Sequence, residues 1–163
     1  MTKRIVNIKH EDFFLHNAND AKMPKTTSRA NLELSFALVE DTSDEILGWV
    51  LLTLSNLGAL QVAESREDDK KRLETLQTQQ GCQLLEFWAK NKMVRAKLIN
   101  DAIPVQINAW NAKYNQKIAY YFMDVVADNS VRTTEIELNA TGSFEYLEDD
   151  YTIKTIVYHL LNS

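Results

Sequence analysis

Ile46-Leu47-Gly48-Trp49-Val50-Leu51-Leu52-Thr53-Leu54 is the longest apolar stretch in the chain, and its reading decides the fold. Extended, it places Ile46, Val50, Leu52 and Leu54 on one face and Leu47, Trp49 and Leu51 on the other. A strand apolar on both sides needs cover on both, from the protein's own helix or from another chain. It reaches only about half of the ~20 residues a membrane-spanning helix requires.

Upstream, Leu32, Leu34, Phe36 and Leu38 alternate with Glu33, Ser35 and Ala37, the period of a half-buried strand. Asp41-Thr42-Ser43-Asp44 is a turn cluster between the two strands. The irregular segment from Asn17 to Ser28 reads as a loop or crossover. Downstream, Asn56-Leu57-Gly58 turns into Leu60-Gln61-Val62, a short third strand of a meander.

From Arg66 the period changes. Acids at Glu67, Asp68 and Asp69 suit the start of a helix, whose dipole favours negative charge there. Leu73, Leu76, Leu84, Phe87, Val94 and Leu98 recur mostly at three or four residues. Gly81 divides this run into two helices, the second over about Cys82 to Asp101 and stopped by Ile103-Pro104. Val105, Ile107 and Ala109 alternate, although Ile103, Ile107, Trp110 and Tyr114 also suit a helix; strands are the favoured reading. Ile118 to Val126 is rich in aromatic and β-branched residues and predicts a strand. Residues 135–146 alternate as one long strand or a hairpin, and Ile153, Ile156, Val157, Leu160 and Leu161 predict a short terminal helix capped by Asp149 or Asp150. The expected fold class is α+β, an antiparallel β-sheet meander with helices packed on one face. It forms a single domain over 1–163, with any subdivision near 103–112.

Composition sets the function classes. Of 163 residues, 45% are hydrophobic and 25% charged, the mixture of a globular protein rather than a disordered or fibrous one. Eighteen basic against 23 acidic residues leave a net charge of −5, which argues against nucleic acid as a partner. The single cysteine, Cys82, forms no intramolecular disulfide. Met1-Thr2-Lys3-Arg4 is basic, but Asn7, Lys9, His10, Glu11 and Asp12 interrupt the stretch after it, so no signal peptide is read. A cytoplasmic protein with no membrane partner is expected. Asn139-Ala140-Thr141 fits a glycosylation sequon, which matters only in a secreted context.

The chemistry-bearing residues are sparse. His10 and His16 flank Glu11 and Asp12, yet on a strand the histidines would stand roughly 20 Å apart, so no metal is expected. Cys82 has no neighbouring base to make it a nucleophile, and His159 reads as a helix-end residue. The four glycines are scattered, so no phosphate cradle and no cofactor is expected. Asp68-Asp69 and Asp149-Asp150 read as helix-start acids, and Lys90, Lys92, Arg95 and Lys97 as the solvated face of a helix. Tyr120-Tyr121-Phe122 cannot be buried on one side of a strand only.

In its order of strands followed by a long helix, the chain resembles the SecB-type export chaperone fold over about residues 4–108. The resemblance is carried by Gly58-Ala59-Leu60, by Leu84-Leu85-Glu86-Phe87-Trp88-Ala89-Lys90 and by Ile103-Pro104-Val105-Gln106-Ile107-Asn108. Ala59-Leu60 departs from that family's aromatic, and the helix lacks its Phe-Pro-Tyr opening. Gly142-Ser143-Phe144-Glu145 echoes the same strand-to-helix junction. The resemblance implies a non-enzymatic, chaperone-like module that holds another polypeptide in extended form, and the two-sided apolar strand Ile46–Leu54 implies self-association as a homo-oligomer. Trp49, Leu51, Tyr121 and Phe122 are the expected protein-binding contacts. The alternative is a small-molecule binder with a pocket between sheet and helix, walled by Trp88 or Trp110. A third reading is an enzyme without a recognisable motif, with His10, His16 and Cys82 as its reactive groups.

Overall fold

The computed structural model describes residues 3–7, 29–63, 67–126, 143–148 and 153–160. The chain divides into two compact units, Met1–Thr53 with Leu84–Gln106, and Leu54–Gln83 with Ile107–Ser163. The fold class is α+β. The sheet is mixed rather than an antiparallel meander, because one strand pair is parallel.

The first unit holds β1 (Lys3–Asn7), β2 (Phe36–Glu40), β3 (Ile46–Leu54) and most of β4 (Gln80–Ala89), in that order. β1 and β2 pair antiparallel, as do β2 and β3, with a register irregularity between Leu38 and Val39. Strand β2 begins only at Phe36. The alternating residues before it form a turn, because the Asn31 side-chain oxygen accepts the N–H groups of Glu33 and Leu34 at 3.0 and 3.1 Å.

Strand β3 is apolar on both faces, and both are covered within the unit. Trp49 and Leu51 join Ala37 and Val39 in a core flanked by Leu32, Leu85 and Trp88. On the other face, a Cβ at Gly48 would lie 2.6 Å from Leu98 and 3.3 Å from Val94, so glycine lets a helix settle directly on the strand. Along β3 the large apolar side chain left exposed is Leu54, at its end, at 48%.

The β2–β3 turn is fixed by a buried carboxylate. Glu40 accepts the Ser43 and Thr42 hydroxyls at 2.5 and 2.7 Å and their N–H groups at 2.7 and 3.2 Å. These bonds, the Ser43 hydroxyl first, lower its pKa from an ordinary 4.5 to about 2. Because the folded value lies below the unfolded one, this stabilisation is complete above about pH 4.5 and lost as pH falls toward 2. Urea midpoints measured from pH 6 down to pH 2.5 are expected to fall across that window. Glu40→Gln should start lower and fall less; an equal acid sensitivity in the variant would remove Glu40 from the account.

The helical run after β4 comprises α3 (Lys92–Lys97), a π turn over Leu98–Ala102 and α4 (Ile103–Tyr114). The expectation that Ile103-Pro104 stops a helix and the strand reading of Val105, Ile107 and Ala109 are both overturned. Instead the Ile103 N–H reaches back to the Leu98 carbonyl, and this widened turn immediately precedes the proline that lacks a donor. Ile103 and Ile107, one turn apart, are both fully buried, while Val105 is exposed.

The second unit holds α1 (Ala59–Ala63), α2 (Glu67–Gln77), the start of β4, β5 (Ile118–Val126), β6 (Ser143–Glu148) and β7 (Ile153–His159). Its strand order is β4-β5-β7-β6. β4 and β5 run parallel from Gln80↔Ile118 to Gln83↔Phe122, whereas β7 pairs antiparallel with both β5 and β6. A parallel pair cannot be closed by a hairpin, so the helical run serves as the crossover.

Three further expectations are corrected here. Leu84–Ala89 is strand, not the body of a helix over Cys82–Asp101; a short apolar run fits either period, and ladder pairing decided it. Leu60–Val62 lies in α1, not in a third meander strand. The terminal segment is β7, not a helix, and Ile156, Val157 and Tyr158 are buried in succession, so both of its faces are covered. The core of this unit joins Leu57, Val62, Leu73 and Leu76 to Tyr120, Phe122 and Val157. The Tyr120 hydroxyl accepts the buried Leu57 N–H at 3.1 Å.

Candidate functional site

At the end of β4 the chain makes a short turn, Lys90-Asn91, and enters α3. The Lys90 N–H donates to the Leu47 carbonyl at 2.8 Å, which fixes the turn to β3. Asn91 caps the helix: its side-chain oxygen accepts the Val94 N–H at 2.9 Å and its carbonyl accepts the Arg95 N–H at 3.0 Å. This junction stands at the carboxyl end of β4. Open sheets present ligands to such ends, and a helix start there favours negative charge.

The charges agree with an anion. Lys90 and Lys92 are exposed at the junction, and Lys97 is exposed at the far end of α3. Lys90 is paired with Glu45 at 2.7 Å, and both side chains are about half exposed (46% and 48%). An ion pair so hydrated holds its lysine weakly and leaves it recruitable. A backbone cradle for phosphate is not built here. No glycine occurs between Gly81 and Gly142, and two N–H groups of the first turn already bond to Asn91. Phosphate groups therefore fit this junction through lysine side chains, not through a glycine-lined loop.

Glu86 is the one carboxylate on β4. It is exposed, although Leu84 before it is buried and Leu85 and Trp88 pack on the first unit's core. Read as part of a helix, Glu86 is one more solvated acid. As a strand residue it is a solvent-facing base on the element that leads into the lysine turn.

The expected protein-binding contacts are all interior. Trp49 and Leu51 are each 2% exposed and belong to the first unit's core, while Tyr121 and Phe122 are 1% and 2% exposed in the second unit. Tyr121 stacks on Tyr158 with ring centroids 4.6 Å apart, and burial pushes its hydroxyl well above the ordinary pKa, with Tyr158 and Cys82 adding to it. Cys82 is fully buried. His159 lies on β7, where burial and then Arg72 lower its pKa. His10, His16, Asp149, Asp150 and the sequon at Asn139 lie outside the described residues. Among the described residues no helix is long and apolar enough to cross a membrane.

No family model matches the sequence, and no curated protein matches it. Solved structures do. The NatC complex bound to Gag peptide and CoA matches at a TM-score of 0.53 and 7% identity, over 98% of this chain and 98% of that one. The NatB acetyltransferase complex bound to CoA and MES gives 0.51 and 10% identity over 99% of each chain. Arylalkylamine N-acetyltransferase 7 from the yellow fever mosquito gives 0.54 and 11% identity over 98% and 88%. The expected SecB-type fold is therefore overturned, for Leu84–Lys90 and Gly58–Leu60 do not form the helix opening and strand start that carried it. With it falls the non-enzymatic, chaperone-like module drawn from that resemblance. What the chain shares with these proteins is the fold of GNAT-type acetyltransferases.

Proposed function

We propose that this protein is an acyltransferase that uses a coenzyme A thioester to acylate an amine. The observation that carries the reading is the β4–α3 junction, a strand end ringed by lysines, in a fold shared with acetyltransferases over nearly the whole chain. Lys90 and Lys92 would meet the coenzyme's phosphates. The bound thioester supplies an activated acyl carbonyl. The amine nitrogen forms the new C–N bond as the C–S bond breaks and the thiolate leaves. Glu86 accepts the proton that the nitrogen loses. Asn91 keeps the helix start in place.

Calorimetric titration with coenzyme A, and with pantetheine, which lacks the phosphates, tests this directly. Coenzyme A is expected to bind and pantetheine to bind at least about tenfold more weakly, because charge-assisted bonds contribute roughly 1.5–3 kcal/mol each. Lys90→Glu with Lys92→Glu should abolish that difference, at the modest stability cost of losing the exposed Lys90–Glu45 pair. Thiol release from acetyl coenzyme A in the presence of amines should fall on Glu86→Gln. Coenzyme A binding with undiminished affinity to the charge-reversed chain would overturn the site.

A further inference from the structure

A cavity of about 940 Å³ opens within the second unit, lined by Gln79, Gln80, Asn108, Asn111, Gln116 and Lys117 among others. Its size falls in the ordinary range of small-ligand sites, about 300–1,000 Å³. A smaller one of about 220 Å³ shares Gln80 and Gln116 with it. Among the described residues, the polar lining of the larger cavity is five carboxamides and one ammonium, with no carboxylate.

Part of that lining builds the walls. Asn111 grips both backbone groups of Ile118, donating to its carbonyl at 3.1 Å and accepting its N–H at 3.0 Å. The Gln80 oxygen accepts the Lys117 N–H at 2.8 Å, and Gln116 donates to the Tyr114 carbonyl at 3.2 Å. Asn115 turns the chain here at a φ of 53°. These bonds hold the helix-to-strand connection rigid. They leave the amide donors of Gln80 and the oxygen of Gln116 available. Among the described residues, the side chains of Gln79, Asn108 and Lys117 take no part in any hydrogen bond or ion pair. A lysine with no acid among the described lining residues selects an anion. Carboxamides, which both donate and accept, match the two polar groups of an amide.

From this we infer that the cavity binds a carboxylate with a neighbouring amide: the carboxy-terminal end of a peptide, or an N-acylated amino acid. The ammonium of Lys117 meets the carboxylate, and Gln79 and Asn108 meet the amide. The inference is independent of acyl transfer and requires no coenzyme.

Amide chemical-shift titrations of the full chain with trialanine, N-acetylalanine and the primary amide of each decide it. At least one of the two free acids is expected to shift the resonances of residues 116–119 saturably at millimolar concentration. The corresponding amide should bind at least about tenfold more weakly, as one charge-assisted contact implies. Lys117→Ala should bring the acid down to the level of the amide at an unchanged melting temperature, since Lys117 is exposed. Asn108→Ala should weaken acid and amide alike. Binding by trialanine alone identifies a peptide end, and binding by N-acetylalanine alone a small acylated amino acid. Equal affinity of acid and amide, persistence of the acid preference in Lys117→Ala, or no saturable shift from either acid overturns the inference.

Discussion

Tyr121→Ala is expected to lower stability by about 3–5 kcal/mol, the usual cost of deleting a fully buried aromatic ring. Tyr121 is 1% exposed and its ring lies 4.6 Å from that of Tyr158, nearly parallel at 8°. The ring sits opposite Cys82 in the parallel ladder, so alanine would leave a void between β4, β5 and β7. Domains of this kind are stable by only about 5–15 kcal/mol, so the variant should be largely unfolded at modest urea concentration. Trp49→Ala should behave similarly in the first unit, where the indole is 2% exposed among Ala37, Val39 and Leu51. Tyr121→Phe separates packing from the hydroxyl and should cost far less than alanine. A near-native urea midpoint for both alanine variants would show that these rings are surface rather than core.

Gly81→Ala should be nearly as damaging, by about 3 kcal/mol, at the upper end of ordinary overpacking. A Cβ there would lie 2.6 Å from Cζ of Tyr120 and 2.7 Å from the carbonyl oxygen of Ser55. Neither neighbour moves cheaply. The Ser55 N–H donates to the Gly81 carbonyl at 3.2 Å, so shifting that backbone breaks a rung. Displacing the Tyr120 ring takes its hydroxyl from the buried Leu57 N–H. A buried donor without a partner adds roughly 1–3 kcal/mol of its own. Thermal unfolding by circular dichroism checks this, and a melting temperature within a degree or so of the parent would refute the crowding argument.

Local signals carried much of the architecture. Ile46–Leu54 shows its two apolar faces in the sequence, and the Asp41–Asp44 cluster marks its turn. Helix α2 and strand β5 follow from charge at a helix start and from β-branched and aromatic content. Strands β4 and β7 are hidden for a shared reason. A strand covered on both sides loses its alternation, and the spacings left over, Leu84 to Phe87 or Ile153 to Ile156, imitate a helix. Pro104 misleads in the opposite sense, because the π turn before it carries the helix past a residue that normally ends one. The lysines of the candidate site are conspicuous as a cluster. Their position at a strand end follows only from residues 84–89 being strand rather than helix, which no local pattern encodes.

The parallel pairing of residues 80–83 with 118–122 governs how the chain can assemble as it leaves the ribosome. The turn at Asp41–Asp44 lets β2 and β3 zip together as soon as both have emerged. The Gln80–Gln83 edge of β4 stays bare until Ile118–Phe122 has been synthesised. Closing so distant a contact is slow, and an uncovered edge invites pairing with a neighbouring nascent chain. The hazard of misassembly during translation therefore includes those four residues, one of which is a glycine without room for any side chain.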